Sequence, residues 1–383
     1  MMTRLATCAV MFSAAWCTLA GADAPATQAR SGGAAKPVDL VICLDTSGSM
    51  DGLINAARTK LWAIVSDLAL ARPAPRLRVA LLSYGNDGNA AADGWVKIEA
   101  GFTEDLDLVS QKLFALTTNG GTELVARVLK TGVEQLSWDA SPAALKLMFV
   151  AGNESAEQDQ QLSLRDVCKQ AIEHGIVVNS IYCAEAGAAV DQIAPKWREI
   201  AALADGQFAA IDQENGTVVI ATPFDAELNK LNLALNDTYI PIGAAGEAGR
   251  ANQVAQDSNA LSLNREACSS RAVAKASALY SCSWDLIDAL RSKQVKLEEV
   301  KATDLPAPMQ SMTIEQRQAH VDAKAKQRSE VQKAIQDVDR KRQEFIAAEL
   351  KQLSNDQTKA FDVMVRKAVR AQATAKGFSF GNP

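Results

Sequence analysis

The chain has 383 residues, 48% of them hydrophobic, and a formal net charge of -5 at pH 7. That length leaves room for two domains, or for one domain with a long appendage, and the apolar content can fill a core. Nucleic acid is disfavoured as a partner, because no basic surface dominates and only four tyrosines are present to stack on bases.

Residues 1–24 read as an export signal. Arg4 gives the positive start, Leu5 to Leu19 the short apolar run, and Ala20-Gly21-Ala22 and Ala22-Asp23-Ala24 the small-residue cleavage sites. A retained anchor is the bland alternative, but the run is short for a bilayer span. Residues 25–36, rich in Ala, Gly, Ser and Thr, read as a disordered leader. No transmembrane segment is expected beyond the signal. The mature chain is expected to be exported, to a periplasm, a cell surface or the medium.

From residue 37 to 212 apolar strands alternate with helical patterns. Asp39 to Asp45 is a near-continuous apolar run, as in a strand buried on both faces. Leu53, Ile54, Ala57, Leu61, Ile64, Val65 and Leu68 then follow helical spacing. Strands are predicted at Leu77–Tyr84, at the edge Trp95–Ile98, and at Leu145–Ala151, Ile176–Cys183 and Gln207–Ile211. Helices are predicted at 104–115, 122–137, 160–174 and 190–204. This order predicts an α/β fold, a doubly wound, mostly parallel sheet flanked by helices in the Rossmann manner, followed by an all-α extension. Ligands of such sheets sit beyond the carboxyl ends of strands at the switch point, which is where Asp45 falls.

Residues 213–308 read as a helical linker region. Pro223 opens a helix to about Leu235, and Gly243, Gly246 and Gly249 read as a plain Gly-rich loop, since no Lys and hydroxyl follow for phosphate binding. Another helix carries Ala272, Ala276, Leu279 and Trp284. Residues 309–383 read as a charged helical hairpin: Thr313 and Gln316 form a capping box, and Ser354-Asn355-Asp356 turns the chain. Its apolar stripe is too thin for a sustained coiled coil and suits a solvated packing arm. The arm's surplus of basic residues is interleaved with acids, which makes a polyanion contact a weak reading.

Seven cysteines become five once Cys8 and Cys17 leave with the signal. Cys43 reads as a small core residue, and Cys168 and Cys183 fall on a helix and the strand after it. Cys268 and Cys282 fall within one helical pattern, and a continuous helix would hold them about 21 Å apart. Export permits disulfides, the spacing does not demand them, and no CxxC zinc pattern is present. Catalysis has little support. His174 and His320 are the only imidazoles, His174 in a helix's last turn where the dipole accounts for it, and no GxSxG elbow, zincin motif or P-loop occurs.

The signature Asp45-Thr46-Ser47-Gly48-Ser49 after a buried strand, with Asn119-Gly120-Gly121-Thr122 before a later helix, resembles the metal-ion-dependent adhesion site of von Willebrand factor type A domains. The resemblance covers about residues 37–212. It implies a divalent cation held by Asp45, Ser47, Ser49 and Thr122, with one position left open for an acidic side chain of a partner. Neutral hydroxyls and few charges suit Mg²⁺, with Mn²⁺ or Ca²⁺ as alternatives. The family's Thr-Asp-Gly turn is absent. Here the strand runs into Ala151-Gly152-Asn153-Glu154, so Gly152 replaces the expected aspartate, the site is expected to be weakened, and Asn153 or Glu154 are the substitutes within reach. Helix capping alone would explain one of the serines.

The expected function is an exported, non-enzymatic module that uses a divalent cation to contact an exposed Asp or Glu on a partner protein. The alternative is a metal-free structural or scaffolding protein whose helical C-terminal arm makes the contacts. A phosphotransfer role for Asp45 is disfavoured, because the hydroxyls at alternate positions leave no second acidic ligand there.

Overall fold

A computed structural model describes residues 35–48, 50–184, 190–212, 220–352 and 360–380. The predicted signal, nearly all of the leader, the 354–356 turn and Ser49 lie outside the described residues. The α/β part runs β1 (Pro37–Asp45), α1 (Asp51–Ala69), β2 (Ala71–Arg72), β3 (Arg76–Tyr84) and β4 (Lys97–Thr103). It continues through α2 (Leu106–Phe114), α3 (Val125–Gln135), β5 (Leu145–Gly152), α4 (Leu164–Glu173), β6 (Ile176–Ala184), α5 (Val190–Leu203) and β7 (Phe208–Asp212).

The main sheet has the order β4-β3-β1-β5-β6-β7, and only the edge strand β4 is antiparallel. β1 lies between β3 and β5, parallel to both. Its residues Val38, Leu40, Val41, Cys43 and Leu44 are all almost fully buried, which explains the unbroken apolar run. Val38, Leu40 and Leu44 face a core shared with α1 and α2, through Leu61, Trp62, Val65 and Val109. Val41 and Cys43 face a second core with α3 and α5, through Val128, Leu129, Trp197 and Ile200. The chain builds outward from β1 in one direction and then crosses to β5. The switch point thus opens at the carboxyl ends of β1, β3 and β5, where Asp45, Tyr84 and Gly152 stand side by side.

The helical region comprises α6 (Asp225–Asn236), α7 (Gly243–Leu263), α8 (Arg265–Lys275), α9 (Leu286–Arg291), α10 (Ala307–Gln310), α11 (Ile314–Gln352) and α12 (Ala360–Ala375), then β8 (Ser379–Phe380). The stretch expected to be a Gly-rich loop is the first half of α7. Its glycines serve close packing: a Cβ on Gly246 would lie 2.7 Å from the Pro241 backbone, and one on Gly249 would lie 2.3 Å from the Trp284 ring. The expected single helix through Cys268 and Cys282 is also corrected. α8 ends at Lys275, and the chain turns through residues 277–285 before α9. All five described cysteines are free and buried.

This region does not project from the sheet domain. α8 lies along α1, where Lys60 pairs with Glu266 at 2.7 Å and Arg271 stacks over Trp62 at 4.7 Å. α11 packs on α6 and α8, whereas α12 packs on α1 and β7. Arg370 of α12 grips Asp67 of α1 through two N–H groups, with distances of 2.6 and 3.0 Å. β8 pairs antiparallel with β2, close to where β1 begins. Among the described residues no helix is long and apolar enough to cross a membrane.

Candidate metal centre

β1 delivers Asp45 to the rim of the sheet, and backbone bonds then knit three loops around it. Thr46 donates its N–H and its hydroxyl to the Tyr84 carbonyl, at 2.8 and 2.9 Å. Its own carbonyl accepts from the Asn119 N–H at 3.0 Å and the Asn86 amide at 3.3 Å. Gly48 N–H donates to the Gly120 carbonyl at 2.9 Å, and Asp87 N–H to the Asn119 carbonyl at 3.1 Å. Gly120 has φ +80°, and a Cβ there would fall 2.1 Å from Asp87 Cγ, so the crossing admits only glycine. The two sequence motifs, 77 residues apart by the numbering of Asp45 and Thr122, are therefore physical neighbours.

Asp45 is completely buried, and its Oδ1 accepts from the Ser47 N–H at 2.8 Å. Asp45 Oδ2 and Ser47 Oγ are buried with no hydrogen-bond partner. An unpaired buried oxygen costs about 1–3 kcal/mol, so two of them side by side call for a ligand. Helix capping does not use Ser47: Met50 holds the N-cap position of α1, and no side chain caps it. Thr122 is half-buried on the loop before α3. Asn153 is buried and Glu154 exposed just beyond β5.

The sequence reading missed two residues that shape this site. The first is Glu123, which is 4% exposed and leans on the same spot as Asp45. A Cβ on Gly85, in the turn after β3, would lie 2.8 Å from Asp45 Oδ1, 3.0 Å from Glu123 Cγ and 3.6 Å from Ser47 Cβ. Burial pushes the Asp45 carboxyl up from its ordinary range. Glu123 is pushed up further, by burial first and by the Asp45 charge second, while Glu154 adds to both. The second is Tyr84. A Cβ on Gly152 would lie 2.4 Å from the Tyr84 hydroxyl oxygen, 3.0 Å from Asp45 Oδ2 and 3.1 Å from the Trp197 ring. Tyr84 donates that hydroxyl to the Ala151 carbonyl at 3.0 Å, and Trp197 donates Nε1–H to the Glu154 carbonyl at 2.9 Å. The space an aspartate would need at position 152 is thus filled. The sequence signal for Glu123 is an acid directly after Thr122, at the start of the stretch 122–137 predicted as helix, whereas α3 begins only at Val125.

Among the described residues no three His, Cys, Asp or Glu side chains converge on a metal position. The donors gathered here are instead the Ser47 hydroxyl and the carboxylates of Asp45 and Glu123, all oxygen. That set fits a small hard cation such as Mg²⁺ or Mn²⁺ and not a soft metal. The imidazoles lie elsewhere, His174 at the end of α4 with Nδ1 2.8 Å from the Gln170 carbonyl and His320 on α11.

The family model described as "von Willebrand factor type A domain" matches residues 39–215. No curated protein matches the sequence. Proximal thread matrix protein 1 from the mussel byssus is 11% identical, covering 47% of this chain and 43% of that one, with a TM-score of 0.34. Another structure of that mussel protein is described as having a zinc-occupied MIDAS motif. A von Willebrand factor type A protein from Catenulispora acidiphila is 16% identical over 46% of this chain and 39% of its own, with a TM-score of 0.35. The pilus adhesin SpaC from Lactobacillus rhamnosus GG is 16% identical over 48% of this chain and 29% of its own, with a TM-score of 0.37. The chain spans less than half the length of each of these three proteins. The assignment rests on the family match together with the sheet order and the motif at the end of β1. Residues 39–215 are a von Willebrand factor type A domain, followed in this chain by a helical region.

Proposed function

We propose that the chain is an exported protein-binding module that contacts an acidic side chain of a partner protein through a divalent cation at Asp45, Ser47, Ser49 and Thr122. The observation that carries this reading is the pair of buried, unpartnered oxygens, Asp45 Oδ2 and Ser47 Oγ, at the switch point of the sheet. A bound cation would supply an electrophilic position open to a carboxylate from outside. Asp45 would supply charge and the hydroxyls neutral oxygens, and the backbone bonds from Thr46 and Gly48 to Asn119 and Gly120 support the reading by holding the two motif loops together. We assign no reaction to the chain.

Calorimetry with Mg²⁺ and Mn²⁺ on the wild type and on Asp45→Ala tests the reading. Binding is expected for the wild type and none for the variant, and flat titrations for both reject the cation. One observation favours a second reading, a metal-free scaffold: Tyr84 and Trp197 close the place of the aspartate that Gly152 lacks. Capture of Asp- or Glu-bearing peptides separates the two. Loss of capture on chelation supports the cation, and capture indifferent to chelator supports the scaffold.

A further inference from the structure

We infer that Glu123 supplies the second carboxylate of the cation site, in place of one from the end of β5. The inference rests on the cation reading above and extends it to a residue outside the recognised motif. Three observations converge. Glu123 is 4% exposed, yet among the described residues no Lys or Arg pairs with it or with Asp45. Two buried acids facing one another without a counter-charge repel unless something positive, a proton or a metal ion, lies between them. Second, the acids meet beside the unpartnered Ser47 Oγ and Asp45 Oδ2. The Ser47 side chain lies against both carboxyls, so a cation between them would meet a hydroxyl oxygen as well as the two carboxylates. Third, the approach from β5 is blocked by Tyr84 and Trp197, while the approach from the α3 side is kept open by Gly85, at φ +75°, over which the Glu123 stem passes.

The backbone holds Glu123 in that posture. Its N–H donates to Gln158 Oε1 at 3.2 Å, which ties the α3 approach to the loop following β5. Charge sets the count. With Asp45 alone a divalent cation would keep a net positive charge in a buried place, and Glu123 brings the protein's contribution to two carboxylates. Mg²⁺ and Mn²⁺, being bound through one or two carboxylates plus water, accept that number.

The experiment uses the full chain and Mn²⁺ alone, followed by calorimetry and by the electron paramagnetic resonance signal of the bound ion. The wild type is expected to bind, Glu123→Gln at least tenfold more weakly and with an altered bound-ion spectrum, and Asp45→Ala not at all. Equal affinity and an unchanged spectrum in Glu123→Gln overturn the role of Glu123 and leave the cation at Asp45 standing. No binding by the wild type overturns both. Should Glu123→Gln fail to fold, Glu123→Asp keeps the charge on a stem one methylene shorter. Weakened binding in that variant supports the assignment, and wild-type affinity rejects it.

Discussion

At position 152 a single hydrogen atom stands where a side chain would have to share space with the Tyr84 hydroxyl, 2.4 Å from the would-be Cβ. Reinstating an acid there is therefore not a simple restoration. Gly152→Asp is expected to cost about 1–3 kcal/mol from overpacking alone, with a further cost for a third buried carboxylate beside Asp45 and Glu123. Tyr84→Phe removes the crowding oxygen and also leaves the Ala151 carbonyl without its donor, so on its own it costs about 1 kcal/mol. The two changes should couple: the double variant is expected to be more stable than the sum of the single losses predicts. Urea denaturation of the four proteins, run with chelator, reads the coupling directly. Strict additivity would show that Tyr84 is not what closes the position.

Within elements, the same kind of contact decides α7. Glycine in a helix interior costs about 1 kcal/mol relative to alanine, so Gly249→Ala would stabilise an exposed helix. Here the new methyl would enter the Trp284 ring, whose Cδ1, Cγ and Nε1 lie 2.3 to 2.6 Å from it. Trp284 is itself stacked on Tyr239 at a centroid distance of 5.6 Å and cannot simply swing aside. Overpacking of about 1–3 kcal/mol should outweigh the propensity gain, and thermal melting should show a lowered Tm. A raised Tm would mean that the ring yields. This contact also explains which elements were legible from sequence. β1, β3, β5 and β6 announce themselves because each is buried on both faces, a property most residues of the run share. α7 hides because its glycines are set by Pro241 and Trp284, residues brought to it only by the fold. The turn after α8 hides for the same reason: helical spacing continues through it, but the Cys282 N–H is taken by the Asp288 side chain of α9 at 2.9 Å. At the site, Asp45 and Ser47 carry a local motif and could be found. Glu123 and Tyr84 act across loops and strands, where no spacing rule points.

On the scale of the whole molecule, the helical region and the sheet domain share buried charges, and these set how the two parts unfold. Arg271 of α8 donates to Asp107 of α2 at 2.7 Å and to Asp257 of α7 at 2.5 Å, and it is almost completely buried. Lys275, also fully buried, donates to Asp257 at 2.9 Å. Removing either half of the chain would strand unpaired charge in a dry interface, so unfolding is expected to be one cooperative transition. Asp257 offers the test. Burial alone would raise its pKa, but the charges of Arg271 and Lys275 outweigh burial and hold it at about 2. The unfolded value is near 3.9, so the stabilisation is complete above about pH 4 and is lost as pH falls toward 2, where the unfolded chain takes up the proton first. Asp257→Asn removes the charge at every pH and leaves Lys275 buried without a counter-ion, a loss of about 3–5 kcal/mol at neutral pH. That deficit should shrink between about pH 4 and pH 2, because acid then makes the wild type resemble the variant. Urea denaturation across this range, followed by tryptophan fluorescence and by circular dichroism, reads both quantities. A deficit independent of pH would remove Asp257 from the ionic network, and separate transitions by the two probes would show that the helical region folds apart from the sheet.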